Sequence, residues 1–258
     1  MNLTSASRVT QYFQTANAGA GYALTLAQLI PRASAAVENF CNRPFSRQTH
    51  TADKFNGTGS GVLRLHDWPV LSVSAVSILT VAVPVSSDGI AYGYQFDDRY
   101  LYLFGSIFPQ GLRNVSVSYV SGFVTSETAF IPAANGPYTI TPSTGGYASA
   151  DRGCVVTATG AAMTLVGSNP AAGQYAFSDG TYTFAAADTG IQVTMTYDFV
   201  PADVEQSCIE LIGTELEQRK SLGITSKTLR DESISFEKKG LPDMIAQKLW
   251  NYKMVVPA

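Results

Sequence analysis

The sequence predicts an α+β fold: a helical core, a β part, and an inserted antiparallel β-sandwich or barrel domain. Three observations carry this. Apolar residues recur at intervals of three and four near both ends of the chain. Between Gln48 and Val120 they alternate with polar residues. Residues 131–199 then hold short strand-like runs, separated by turn signals, with almost no charge. The expected domains are 1–125 (helices, then β part), 126–199 (inserted β domain) and 200–258 (C-terminal helices and tail).

Residues 5–14 read as a short helix. A longer one is expected from Thr25, which stands at capping-box spacing from Gln28. Leu26, Leu29, Ile30, Ala33, Val37, Phe40 and Cys41 follow as one apolar stripe. Pro31 should kink or split that helix, and Pro44 ends it. In the β part, Gly57, Gly59 and Gly61 mark a hairpin turn before Val62. Leu71, Val73 and Ala75 alternate with Ser72 and Ser74. Tyr100–Leu103 is apolar or amphipathic on both faces, which predicts a strand covered on both sides.

Within 131–199, strand-like runs occur at Tyr138–Thr141, Cys154–Thr159, Met163–Val166, Gln174–Phe177, Thr181–Phe184 and Ile191–Tyr197. Their spacing predicts a small sandwich or barrel. Sheet packing should absorb most of Tyr138, Tyr147, Tyr175, Tyr182 and Tyr197, although exposed tyrosines can stack on sugars or anchor protein contacts. Helix returns at Pro201, with Asp203 and Glu205 at the positive end of its dipole. Val204, Cys208, Leu211, Ile212 and Leu216 make its buried stripe, and Gly223 closes it. Ser233–Phe236 can form a strand. Pro242 opens a last short helix carrying Ile245, Leu249 and Trp250, with Tyr252 near its end. The N- and C-terminal helices each have one apolar stripe and should pack together.

The net charge of −3 gives no global signature of nucleic-acid binding. The charge is uneven. Residues 131–199 hold only Asp151, Arg152, Asp179, Asp188 and Asp198, whereas 219–253 hold eight basic and four acidic residues. Such a basic segment is ordinarily a solvated face, and can also meet an acidic partner or DNA. Three scattered cysteines, Cys41, Cys154 and Cys208, read as buried reduced thiols. The N-terminus predicts no secretory signal, and no apolar run approaches the ~20 residues of a membrane helix.

Catalytic patterns are weak. The run Gly57-Thr58-Gly59-Ser60-Gly61 lacks the Lys-Ser/Thr pair of a phosphate loop and leads into a strand. His66-Asp67 has no serine tied to it by a nucleophile elbow. Asp97 and Asp98 are neighbours on an extended chain and point apart. The expectation is therefore no enzyme, no metal and no cofactor.

One ordered set of residues is specific. Ala33-Ser34-Ala35-Ala36-Val37-Glu38 runs into Cys41-Asn42-Arg43-Pro44-Phe45. Then come Phe55-Asn56-Gly57, Leu63-Arg64-Leu65-His66-Asp67-Trp68-Pro69-Val70, and Phe108-Pro109-Gln110-Gly111 leading through Val115, Val117 and Tyr119 to Gly122-Phe123. This set resembles the head–tail connector (adaptor) proteins of tailed bacteriophages, over about 1–125 and 200–253. The resemblance implies a helical connector core, with 126–199 as an insertion. It implies a structural virion protein, assembled in the host bacterial cytoplasm and placed in the neck. Copies would form a ring matching the twelve-fold portal, join the portal to the next tail or neck component, and let DNA pass with non-specific contact. No membrane contact is expected. In that family the C-terminal segment reaches the portal, which makes Leu241, Ile245, Leu249, Trp250, Tyr252 and Lys253 the docking candidates. The alternative from another class is a carbohydrate-binding or adhesive β module on a helical base.

Overall fold

The computed structural model describes residues 1–15, 19–133, 136–220, 226–229, 232–235 and 241–254. The chain forms two compact units, residues 1–44 with 125–258, and residues 45–124. The segment expected as an insertion, 126–199, falls inside the first unit, and the separate unit is 45–124. Strands make up 40% of the structure and helices 25%, so the expected helical core is corrected to a mostly β fold that fits α+β only loosely. The reason is element number: among the described residues sixteen strands, most of them short, stand against four α-helices.

Helix α1 (Ala6–Tyr12) starts at Ser5, whose hydroxyl accepts from the Arg8 N–H. Helix α2 (Gly19–Cys41) begins upstream of the expected Thr25. The Thr25 hydroxyl donates to the Gly21 carbonyl one turn back and caps nothing. Pro31 lies on the exposed face and does not split the helix. Leu26, Leu29, Ile30, Ala33, Val37 and Cys41 are buried, as one stripe.

Residues 45–124 carry β1 (Gln48–Gly57), β2 (Val62–Arg64), β3 (Val70–Ile78), β4 (Val81–Val83), β5 (Gly93–Phe96), β6 (Tyr100–Phe104) and β7 (Gly111–Ser121). They build two sheets, ordered β1-β7-β3-β4 and β2-β6-β5. The glycine run between β1 and β2 is a crossover between sheets, because β1 pairs with β7 and β2 with β6. The expected hairpin is thereby corrected. Gln48 lies opposite Ser121. An irregularity between Val73 and Ala75 shifts the alternation of β3, so Val76 faces the core and Ala75 the solvent. Strand β6 is covered on one side only. Leu101 and Leu103 are buried, while Tyr100 stays exposed and Tyr102 half-buried.

The first unit continues with β8 (Val124–Phe130), β9 (Thr139–Ile140), β10 (Gly146–Val156), β11 (Thr164–Val166), β12 (Gln174–Ser178), β13 (Thr181–Phe184) and β14 (Gln192–Pro201). Sheets ordered β10-β14-β8 and β11-β12-β13-β9 share one core. The first contributes Cys154, Met195 and Tyr197, the second Tyr175, Tyr182 and Phe184. The strands are not all antiparallel as expected, because β11 and β12 run parallel. Gly146 opens β10 at φ +142°, where a Cβ would lie 2.1 Å from the Val200 carbonyl oxygen, so the close approach of β14 requires glycine. Across β8 and β14, and at Thr157 just past β10, hydroxyls pair in rows: Ser126 with Thr196 at 2.9 Å, Thr128 with Thr194 at 3.1 Å, and Thr194 with Thr157 at 2.9 Å.

Helix α3 (Ala202–Lys220) follows β14 without a break and packs on α2. Val204, Cys208, Leu211 and Ile212 are buried and Leu216 half-buried. Gly213 admits the Phe13 ring, which a Cβ would meet at 2.5 Å. Strands β15 (Ser226–Leu229) and β16 (Glu232–Ser235) pair antiparallel. Gly223 and Phe236, expected as a helix stop and a strand residue, lie outside the described residues. Helix α4 (Asp243–Leu249) runs into a short 3₁₀ turn, Trp250–Tyr252. Among the described residues no helix is long and apolar enough to cross a membrane.

Candidate docking surface

Helix α4 is short and depends on its packing. Pro242 sets the entry, and its carbonyl accepts from the Ala246 N–H at 2.9 Å. Ile245 and Leu249 stand four residues apart, share a face, and are 1% and 0% exposed. Lys248 adds a polar tie, donating from Nζ to both carboxylate oxygens of Glu210 on α3 at 2.7 and 2.9 Å. Burial raises the Glu210 carboxyl, but the bonds from Lys248 and Gln206 outweigh it and leave it below the ordinary glutamate value. Past the helix, the Met254 N–H donates to the Cys41 carbonyl at 2.8 Å, closing the segment onto the end of α2.

The expected docking residues therefore divide. Ile245 and Leu249 point into the chain's own interior and are covered, a correction that follows from their shared helical face. Leu241 and Tyr252 are half-buried, and burial raises the Tyr252 hydroxyl pKa. Trp250 is 66% exposed. Lys253 is exposed, with Nζ 4.8 Å from the Phe40 ring centroid and 5.1 Å from that of Trp250. Phe40, Asp243, Ala246, Gln247, Trp250 and Asn251 line an open groove of about 480 Å³. Met244 is exposed on the same helix. Sequence reasoning placed Phe40 in the buried stripe of α2 and missed its role as groove wall. Its position at the last turn of that helix, just before Pro44, was the available signal.

Other constellations are satisfied internally. In the 45–124 unit, Ser121 Oγ donates to Asp67 Oδ2 at 2.8 Å, and His50 Nε2 lies 3.2 Å from that same Oγ. Serine, histidine and aspartate meet, but Ser121 is fully buried and gives its proton to the aspartate, so no nucleophile faces a substrate. His66 Nδ1 is 2.9 Å from Asp53 Oδ2, not joined to a serine. Asp97 accepts from the N–H groups of Arg99 and Tyr100 and from the Tyr102 hydroxyl, a turn-stabilising role. In the other unit, Asp151 accepts from the Tyr175 and Tyr182 hydroxyls at 2.7 and 2.8 Å, which explains how two buried phenols are tolerated. Among the described residues no three His, Cys, Asp or Glu side chains converge as a metal site.

No protein-family model matches the chain, and no curated protein sequence matches it.

Proposed function

We propose that this chain is a structural neck protein of a tailed bacteriophage, assembling as a ring beneath the portal, docking on it, and letting DNA pass through the middle. The ordered residues of 33–45, 55–70 and 108–123 support the reading by resemblance. The observation that carries it is Trp250, a large aromatic held open, with Met244 also exposed, on a segment whose Ile245 and Leu249 are packed away. The test is mass determination of the purified chain alone and mixed with the portal protein of the same genome. Ring-sized species, or a complex with portal rings, support the reading. A monomer that ignores the portal refutes it.

A second reading, a glycan-binding or adhesive β module, rests on the hydroxyl rows across β8 and β14. Ser126, Thr128 and Phe130 follow at alternate positions on β8, and Phe130 is 64% exposed. Neutral hydroxyls beside an open ring suit sugar better than an ion. Retention of the full chain on insoluble polysaccharide, lost in Phe130→Ala, would favour it over the neck reading.

A further inference from the structure

The groove beside α4 is polarised. Its middle is apolar, with Phe40, Ala246 and Trp250. Asp243 stands at one end, in the first turn of α4. Lys253 stands past the other end, its ammonium over the two aromatic rings. The seven-residue helix, about 10 Å long, and the three-residue 3₁₀ turn after it lie between the two charges. The second basic residue of the segment, Lys248, is already engaged by Glu210. Among the described residues Lys253 has no carboxylate partner. Its ammonium lies over rings that also form the groove wall, which places its charge at the rim.

We propose that the groove takes an apolar segment of a protein partner in which a carboxylate residue adjoins the anchoring side chain, the anchor entering between Phe40 and Trp250 and the carboxylate meeting Lys253. The proposal deepens the docking reading of the C-terminal segment and rests on it. The chemistry follows from charge placement. An acidic residue at the Lys253 end gains an ion pair beside an apolar wall, whereas a basic residue there meets a like charge. Asp243 sets the direction, disfavouring an acid at the opposite end.

The test uses the full chain and three capped peptides, acetyl-Gly-Leu-Phe-Asp-Gly-amide and the same peptide with Asn or Lys in place of Asp. Trp250 emission is the readout, because Trp68, the other tryptophan, is buried. The Asp peptide should bind about five-fold more tightly than the Asn peptide, the scale of one partly exposed ion pair, and the Lys peptide most weakly. Lys253→Gln should erase the advantage of Asp over Asn. Asp243→Asn should preserve that advantage. Equal or tighter binding of the Lys peptide overturns the proposal, as does an Asp preference that survives Lys253→Gln, or absence of binding by all three at millimolar concentration. The neck reading fails separately. Peptides ranked as expected with a chain that ignores portal rings would leave the groove chemistry standing and remove the portal as its partner.

Discussion

Arg8 grips the carboxylate of Glu205 with two nitrogens, Nε to Oε1 and Nη2 to Oε2, the latter at 2.8 Å. The Thr4 hydroxyl donates to the same Oε1 at 3.2 Å. The link joins α1 to the first turn of α3 across 197 positions of sequence. Glu205 is buried and also sits at the positive end of the α3 dipole, while the Arg8 guanidinium extends over the Tyr147 ring at 5.6 Å.

Removing the arginine would strand a buried carboxylate. Arg8→Ala should destabilise the protein by about 2 kcal/mol, below the 3–5 kcal/mol of a fully buried pair because Arg8 is partly exposed. Chemical denaturation of Arg8→Ala, Glu205→Gln and the double variant should give a coupling of about 1 kcal/mol or more. Additive effects would mean that the two residues act separately.

The division within α4 predicts opposite outcomes for neighbours. Leu249→Ala should cost about 3 kcal/mol, because it opens a cavity between helices. Trp250→Ala should leave stability within about 0.5 kcal/mol. Thermal melts of the two variants decide it. A large loss for Trp250→Ala would make that ring structural. Deleting 241–258 should lower the melting temperature through Ile245 and Leu249, so point substitution at Trp250 is the cleaner probe of docking.

Stability should fall on the acid side. Burial raises the Glu127 carboxyl, but bonds from the Thr144 and Ser143 N–H groups and the Tyr197 hydroxyl outweigh it, leaving it below the ordinary glutamate value. Glu210 behaves alike. A carboxyl lowered in the folded state contributes fully above its unfolded pKa of about 4.3 and loses that contribution as pH falls through the folded value. The melting temperature should be level between about pH 7 and 5 and decline below about pH 4. Glu127→Gln should flatten the decline. An unchanged slope would remove Glu127 from the account.

Burial pushes the Cys41 thiol up to about 11, and Cys154 and Cys208 up to about 12. All three stay protonated near pH 8 and are buried. An aromatic disulfide reagent should label none of them in the native chain and all three in guanidinium. Rapid native labelling of any one would show that its surroundings open.

Local periodicity was readable wherever it was enough to define an element. The stripes of α2 and α3 were visible because positions three and four apart share a face whatever lies around them. The start of α2 was not, because two glycines at its first turn argue against helix and only tertiary packing reverses that. The face of β3 was misread because a bulge offsets the alternation, and nothing in Val73-Ser74-Ala75 announces it. In the site, the spacing of Ile245 and Leu249 showed that they share a face but not that the face turns inward, and the approach of Phe40 and Lys253 to Trp250 joins distant positions that no local pattern links.

The pairing of Gln48 with Ser121 turns residues 45–124 into a cartridge on a stem. The chain arrives and departs along two neighbouring strands, about 5 Å apart, however much polypeptide lies beyond them. Loops can lengthen or shorten inside the cartridge while the stem keeps a fixed width, and this is the geometry in which domain insertion and replacement are tolerated. Residues 45–124 alone should therefore unfold cooperatively in solution, and a chain joining 44 to 125 through a few glycines should keep a cooperative melt of its own. If both fragments aggregate, the two ends of the stem are not a place where the chain can be cut and rejoined.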